Sequence, residues 1–196
     1  MPLDTTKIYV GLADQSKTTG ALSRGPALTD VPDTMADALA AIAGFKSSGY
    51  FNDEGAKLST DLSTNDIKEW NGANVRKLLD DFSGTISATL IQSDYEGWCQ
   101  LLGEDAVSRI AATNEHGEQL HIKIGAHLPR PQAWALRMKD GDMRMLILVP
   151  IGQVASGVDI TFASNEAIGL PIEISANDDG TGESIHIYTD DGHKSK

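Results

Sequence analysis

The chain has 196 residues, 40% of them hydrophobic and 22% charged, a length that fits one β-rich domain, or two small ones, able to bury its own core. Twenty-eight acidic residues against 16 basic ones leave a net charge of −12. That balance excludes a protein that grips nucleic acid through its phosphates, which needs clustered Lys and Arg, but it suits a wall past which DNA slides without adhering.

In chain order, Lys7 to Leu12 reads as a short strand, and Asp14 to Asp30, rich in Ser, Thr, Gly and Lys, as a loop or arm. Asp33 is placed to cap a short helix through Ala36, Leu39 and Ile42, ended by Gly44; a solvated connector is the competing reading. Phe45 to Asp53 reads as a strand. Glu54 to Asn65 is dominated by Ser, Thr and Asp and reads as a long polar loop, and loops of that length in a compact domain are usually functional or disordered. Order resumes at Ile67 to Trp70, Asn71-Gly72 is a turn signal, and Val75 to Phe82 is the next strand.

Thr85 to Ile91 alternates Ile86, Ala88 and Leu90 against Ser87 and Thr89, the pattern of a half-buried strand. Ser93, with Glu96 three residues later, forms a capping-box pattern. It predicts a helix over about 93–102, with Tyr95, Trp98, Cys99 and Leu102 on one face and Gly103 closing it. Then come strands. Leu120, Ile122 and Ile124 alternate with polar residues, as do Trp134, Leu136 and Met138. Asp140-Gly141 marks a hairpin turn into Met143 to Val149. Val158 to Phe162, Ile168 to Ile174 and the pair Ile185 and Ile187 complete the set. Short strands with turns at regular spacing predict a mostly β fold, a sandwich or barrel with one flanking helix. No internal repeat or linker divides it.

Catalytic and metal chemistry finds little support. The single cysteine, Cys99, excludes an intrachain disulfide and a thiolate metal cluster; on the apolar helix face it reads as a small core residue. His116, His121 and His127 lack acidic partners at ligand spacing, and His121 and His186 take outward strand positions, so they read as surface histidines. Asp178-Asp179-Gly180 resembles part of a calcium loop. Aligned on Gly180, however, that loop begins at Ser175 and ends at His186, where a carboxylate and a bidentate Glu belong. A hairpin loop is the better reading. No G-x-S-x-G, P-loop or dinucleotide fingerprint is present. No signal peptide is evident, and the most apolar stretch, Met143 to Ile151, is too short to span a bilayer. A protein made in the cytoplasm, with neither enzyme activity nor a cofactor, is the expectation.

Three segments, in order, resemble the major tail tube proteins of siphophages, the lambda-like tail tube family. The first is Gly49-Tyr50-Phe51-Asn52-Asp53-Glu54-Gly55 with the residues that follow it. The second is Ile67-Lys68-Glu69-Trp70-Asn71-Gly72, like the family's I-x-x-W-x-G element. The third is the strand Thr85 to Ser93 running into the helix of Trp98, Leu101 and Leu102. Pro150 and Ala167 to Ala176 follow in the family's order, so the resemblance runs from about Gly49 to Ile187.

That resemblance implies one tail tube domain over 1–196 with an N-terminal arm at about 1–7, an inter-subunit loop at about 54–65 and a short polar C-terminal tail. It also implies six-membered rings stacked into a hollow tube that delivers the genome to the host. Asp53, Glu54, Gly55, Lys57, Leu58, Leu62, Asp66, Ile67 and Trp70 are then the inter-subunit contact candidates. The implied partners are other copies of the chain, a tape measure protein inside the tube, and the tail terminator and tail tip or distal tail proteins. DNA would pass through the lumen without specific binding, and no membrane is involved.

Two other readings compete. A monomeric β-sandwich binding module for carbohydrate or protein predicts a concave aromatic face, which aromatics at 6%, with Trp70, Trp98 and Trp134 on different elements, do not suggest. A hydrolase with dispersed carboxylates predicts a pH-dependent activity.

Overall fold

The computed structural model describes residues 8–14, 21–154, 157 and 159–193. Ten strands and two short helices follow in the order β1 (Leu22–Pro26), α1 (Met35–Ala41), β2 (Lys46–Ser47), β3 (Phe51–Lys68), β4 (Asn74–Leu90), α2 (Tyr95–Leu102), β5 (Val107–Ile110), β6 (Gln119–Ile122), β7 (Gln132–Asp140), β8 (Met143–Val154), β9 (Leu170–Ala176) and β10 (His186–Asp190). The mostly β expectation holds, and every strand pairing is antiparallel.

One sheet runs β2-β1-β7-β8-β9-β4-β3, with β10 added to β8. The long strand β8 divides its outer edge. Arg144 to Leu148 pair with β10, and Gly152 to Val154 pair with β9. The small β5–β6 hairpin stands apart.

The central strands are buried on both faces. On β7, Trp134 and Leu136 enter one cluster with Leu22, Ile86, Leu90, Val149, Ile172 and the α2 residues Trp98, Cys99 and Leu101. Ala133 and Ala135 face the other way, into a cluster with Leu146, Leu148 and the α1 side, Ala38, Ile42 and Phe45. Small alanines let α1 approach one face, while the Trp134 ring fills the other. A strand covered on both faces reads as a continuous apolar run, and Met143 to Ile151 is such a run. The Trp134 Nε1–H donates to the Gly152 carbonyl at 3.3 Å. A Cβ on Gly152 would lie 2.7 Å from the Trp134 ring, so only glycine fits beneath it.

Both helices form where expected, one residue away from the expected caps. Thr34, not Asp33, caps α1 by accepting from the Asp37 amide. Asp94, not Ser93, caps α2 by accepting from the Gly97 amide at 2.8 Å; its carboxylate also suits the positive helix end. Cys99 is buried, and burial pushes its thiol pKa up.

Several expectations are corrected. The expected loop over Asp14 to Asp30 contains β1, whose Leu22, Ser23 and Arg24 are buried between β2 and β7. Polar β1 can sit there because Arg24 is paired: its guanidinium donates to Gln132 Oε1 at 2.8 Å and lies 3.3 Å and 3.4 Å from the Glu96 and Glu104 carboxylates. Lys46 completes this group, 3.2 Å from both carboxylates. Its hydrogen bond holds Glu104 below the usual carboxylate range, and hydrogen bonding to Glu96 raises Lys46. Ile8 to Leu12 form no strand; Ala13 makes a lone bridge to Met138. The Phe45–Asp53 strand is the two-residue β2, three unstructured residues and the start of β3. Described residues between 159 and 162 form no strand.

Asp178 and Asp179 spend their oxygens on the amides of Gly180, Thr181 and Gly182 within the β9–β10 loop. The Thr181 hydroxyl and amide, helped by His186 at 2.9 Å, lower the Asp179 pKa to about 2. Among the described residues no three His, Cys, Asp or Glu side chains gather to hold a metal. No helix among the described residues is long and apolar enough to cross a membrane.

Candidate assembly surface

The largest departure from the sequence reading is Glu54 to Asn65. This segment is strand, not loop: it lies inside the 18-residue β3, which pairs with the 17-residue β4 from Phe51–Leu90 out to Lys68–Asn74. The expected strands Val75–Phe82 and Thr85–Ile91 are one continuous β4. The Asn71-Gly72 turn joins the pair, with Gly72 at φ 87°, a conformation that favours glycine.

Only the lower part of β4 touches the body. Its ladder with β9 spans Gly84 to Leu90. Beyond Gly84 the two strands continue alone as a ribbon of ten further residues on β4, a projection of about 33 Å at roughly 3.3 Å per residue.

The ribbon continues a buried face into solvent. Leu58 pairs with Ile86 on the core face; the same alternation carries outward through Thr60–Gly84 to Leu62–Phe82. Between Ser63–Asp81 and Thr64–Leu79 the register slips, leaving Asp80 unpaired in a β-bulge. Leu79 therefore stays on the face of Leu62 and Phe82. Leu78, opposite Asn65, and Ile67, opposite Arg76, lie diagonally across the other face. All are exposed, Leu79 and Leu62 most of these, and Trp70 in the turn is fully exposed at 102%. Polar pairs stiffen the distal half: Lys77 Nζ lies 3.1 Å from Asp66 Oδ1, and Asn74 Nδ2 donates to Asp66 Oδ2 at 3.0 Å.

An isolated two-stranded ribbon is marginal in water. This one is grounded at its base in an eight-stranded sheet. Its two outer edges, β3 throughout and β4 from Asn74 to Ser83, carry backbone groups without a strand partner among the described residues.

The nine contact candidates therefore split into two places. Leu62, Asp66, Ile67 and Trp70 lie on the ribbon. Asp53, Glu54, Gly55 and Lys57 lie at the base of β3, where the strand is irregular before Ala56 and Gly55 has φ 71°. Leu58 lies between them and packs against the core. Sequence reasoning missed the β4 side of the ribbon, Leu78, Leu79 and Phe82. Their signal was present as an apolar set in a strand with no polar alternation. The expected arm at 1–7 lies outside the described residues; of the tail, Gly192 and His193 are exposed and 194–196 lie outside.

Of the three tryptophans, Trp98 and Trp134 are buried and Trp70 is exposed, so the tryptophans form no shared platform.

A family model described as phage tail tube protein matches residues 5–195. Among solved structures, a chain from the "Virion of native gene transfer agent (GTA) particle" aligns with a TM-score of 0.40 at 10% identity, covering 76% of this chain and 90% of that one. No curated protein sequence matches.

Proposed function

We propose, on the premise that the chain belongs to the phage tail tube proteins, that its copies close into six-membered rings and that these rings stack into the hollow tube of a long, flexible tail. The protein is a structural component of a phage tail and not an enzyme. The finer reading is that tubes grow in the host cytoplasm around a tape measure protein, between tail tip proteins at one end and a terminator at the other. DNA later passes through the lumen to the host.

The observation that carries this reading is the ribbon. Leu62, Ile67, Trp70, Leu78, Leu79 and Phe82 are exposed on an arm that the chain's own fold leaves uncovered. Complete burial of such side chains contributes about 1.5–3 kcal/mol each. All but the fully exposed Trp70 are already partly covered, so a neighbour gains a little more than half of that, about 5–10 kcal/mol for the six. Association costs on the order of 4–15 kcal/mol. One ribbon contact thus holds a pair weakly, and a closed ring, in which every subunit both gives and receives a ribbon, holds firmly. Head-to-tail contacts that close by rotation generate such rings. Joining the free ribbon edges to neighbouring strands would also remove them. The base residues Asp53 to Lys57 are proposed as a second contact, between rings. A net charge of −12 suits a wall that DNA passes without adhering.

Negative-stain electron microscopy with sedimentation, on the protein alone and mixed with tail tip complexes, tests the proposal. Hollow rings or tubes of uniform width are expected. A species that stays monomeric under both conditions overturns it and returns attention to a monomeric binding module.

A further inference from the structure

The two ends of the β3–β4 ladder differ in charge. Around the turn, residues 65–78 carry Lys68, Arg76 and Lys77 against Asp66 and Glu69, a net positive end in a chain of net charge −12. Asp66 holds Lys77, whereas Lys68 and Arg76 have no ion-pair partner among the described residues. Trp70 stands beside them, fully exposed. At the other end of the ladder lies an open hollow of about 540 Å³. Phe51 at the start of β3, Ile91 just past β4 and Pro171 near the start of β9 supply its apolar wall. Asp53, Asp159 and Glu166 line the same hollow, and no Lys or Arg does. None of these three carboxylates has an ion-pair partner among the described residues.

We infer that this hollow receives the ribbon tip of a second copy of the chain, one ring along the tube, with Trp70 on the apolar wall and Lys68 and Arg76 against the carboxylates. Three observations lead there. First, the charges match: unpaired cations on one surface meet unpaired carboxylates on the other, which fixes register and rejects the like-charged alternative of tip on tip. Second, the hollow has room. Its volume lies within the roughly 300–1,000 Å³ of small-molecule sites, enough for an indole and a neighbouring side chain. Third, the levels match a contact between rings. Asn74 and Leu90 bound β4, and at roughly 3.3 Å per residue they lie about 53 Å apart. A tip and a receptor at opposite ends of one ladder do not meet in a single subunit. Copies turned about an axis along the ladder keep tip beside tip, whereas copies displaced along it bring tip to base. Such a head-to-tail contact repeats without closing, as a filament requires.

The inference rests on the stacked-ring reading and sharpens it: the shaft of the ribbon serves its own ring, and the tip is what the base of β3 holds in the next. The test combines Asn71→Cys in the turn with Ala167→Cys in the hollow, both exposed positions, in a chain whose native Cys99 is buried. The protein is assembled with tail tip complexes, treated with a short bis-maleimide and separated under denaturing conditions. Covalent chains of more than six copies are expected, because a contact between rings joins subunits without closing. Chains that stop at six put the tip within its own ring, and assembled tubes without crosslinked chains put it elsewhere; either overturns the inference and leaves the rings standing. An unsubstituted protein that forms neither rings nor tubes overturns both. A charge swap gives a second reading. Lys68→Glu with Arg76→Glu should cut the sedimenting tube at least tenfold, as should Asp159→Lys with Glu166→Lys, and all four together should recover most of it. Reversals without effect, or without mutual rescue, overturn the inference.

Discussion

Gly84 faces Ala176 in the last pair that joins β4 to β9, and an added Cβ on Gly84 would come within 2.5 Å of the Ile185 Cδ1 atom. The ribbon departs from the body at this point, where three segments meet with no room for a side chain. The end of the Ile185 side chain can move aside for a methyl group but not for a branched one. Gly84→Ala is expected to cost little, and Gly84→Val on the order of 1–3 kcal/mol, as overpacking does. Thermal denaturation of both variants checks the order.

The ribbon's apolar groups should behave in the opposite way. Leu62→Ser, Leu79→Ser and Phe82→Ser remove side chains that the subunit leaves in water. Each should change the stability of the free subunit by no more than about 0.5 kcal/mol, while the amount of tube in a sedimentation assay falls steeply. A variant that melts several degrees lower would place its side chain in the subunit's own core instead.

Beneath Trp134 the packing has no slack. Trp134→Ala should cost about 3–5 kcal/mol, a large share of a typical domain's stability. Gly152→Ala should also destabilise, since its Cβ would meet the Trp134 ring at 2.7 Å and Ile174 at 2.8 Å. Denaturant unfolding measures both.

The Arg24 group gives a pH dependence with a defined sign. Glu104 is held below the usual carboxylate range, chiefly by Lys46. Its contribution to stability is therefore complete above that range and is lost as acid protonates it. Lys46 is raised above 10.5, so its contribution is complete below that pH and is lost in strong alkali. Comparing melting at pH 7 and at about pH 3.5, below the ordinary Glu pKa, the loss should be smaller in Glu104→Gln than in the wild type. Equal losses would remove Glu104 from the account.

Cys99 offers a simple probe of the α2 packing. Its thiol is buried and its pKa is raised by desolvation. Thiol reagents should label it slowly in the native protein and rapidly once the chain is unfolded.

Much of the body was legible because burial writes a pattern. The alternation in Thr85 to Ile91, the apolar run of β8 and the Asp140-Gly141 turn each correspond to a face packed against something. The ribbon was read as a loop for the converse reason. From Ser59 to Asn65 both faces of β3 meet water in the free subunit, so no period of two is imposed on its side chains. β1 was missed because its central residue is an arginine, and nothing local to Arg24 announces Glu96, Glu104 and Gln132, which lie at least 72 positions away. The candidate contacts Leu62, Ile67 and Trp70 were found through resemblance, whereas Leu78, Leu79 and Phe82 emerged only from the register of β4 on β3.

The ribbon carries apolar groups on both faces, Leu62, Phe82 and, kept there by the bulge at Asp80, Leu79 on one and Ile67 and Leu78 on the other. A two-sided arm is satisfied only when it is clasped from two directions. A subunit that meets one neighbour covers half of what it exposes, and one that enters a nearly complete ring covers all of it. Assembly through such an element is cooperative, with a lag while small oligomers form and dissolve, followed by rapid growth once a full ring supplies the template. Deleting Asp80 would remove the bulge while leaving Leu79 opposite Thr64 on the same face; the straightened arm should disturb that lag more than the stability of the isolated subunit.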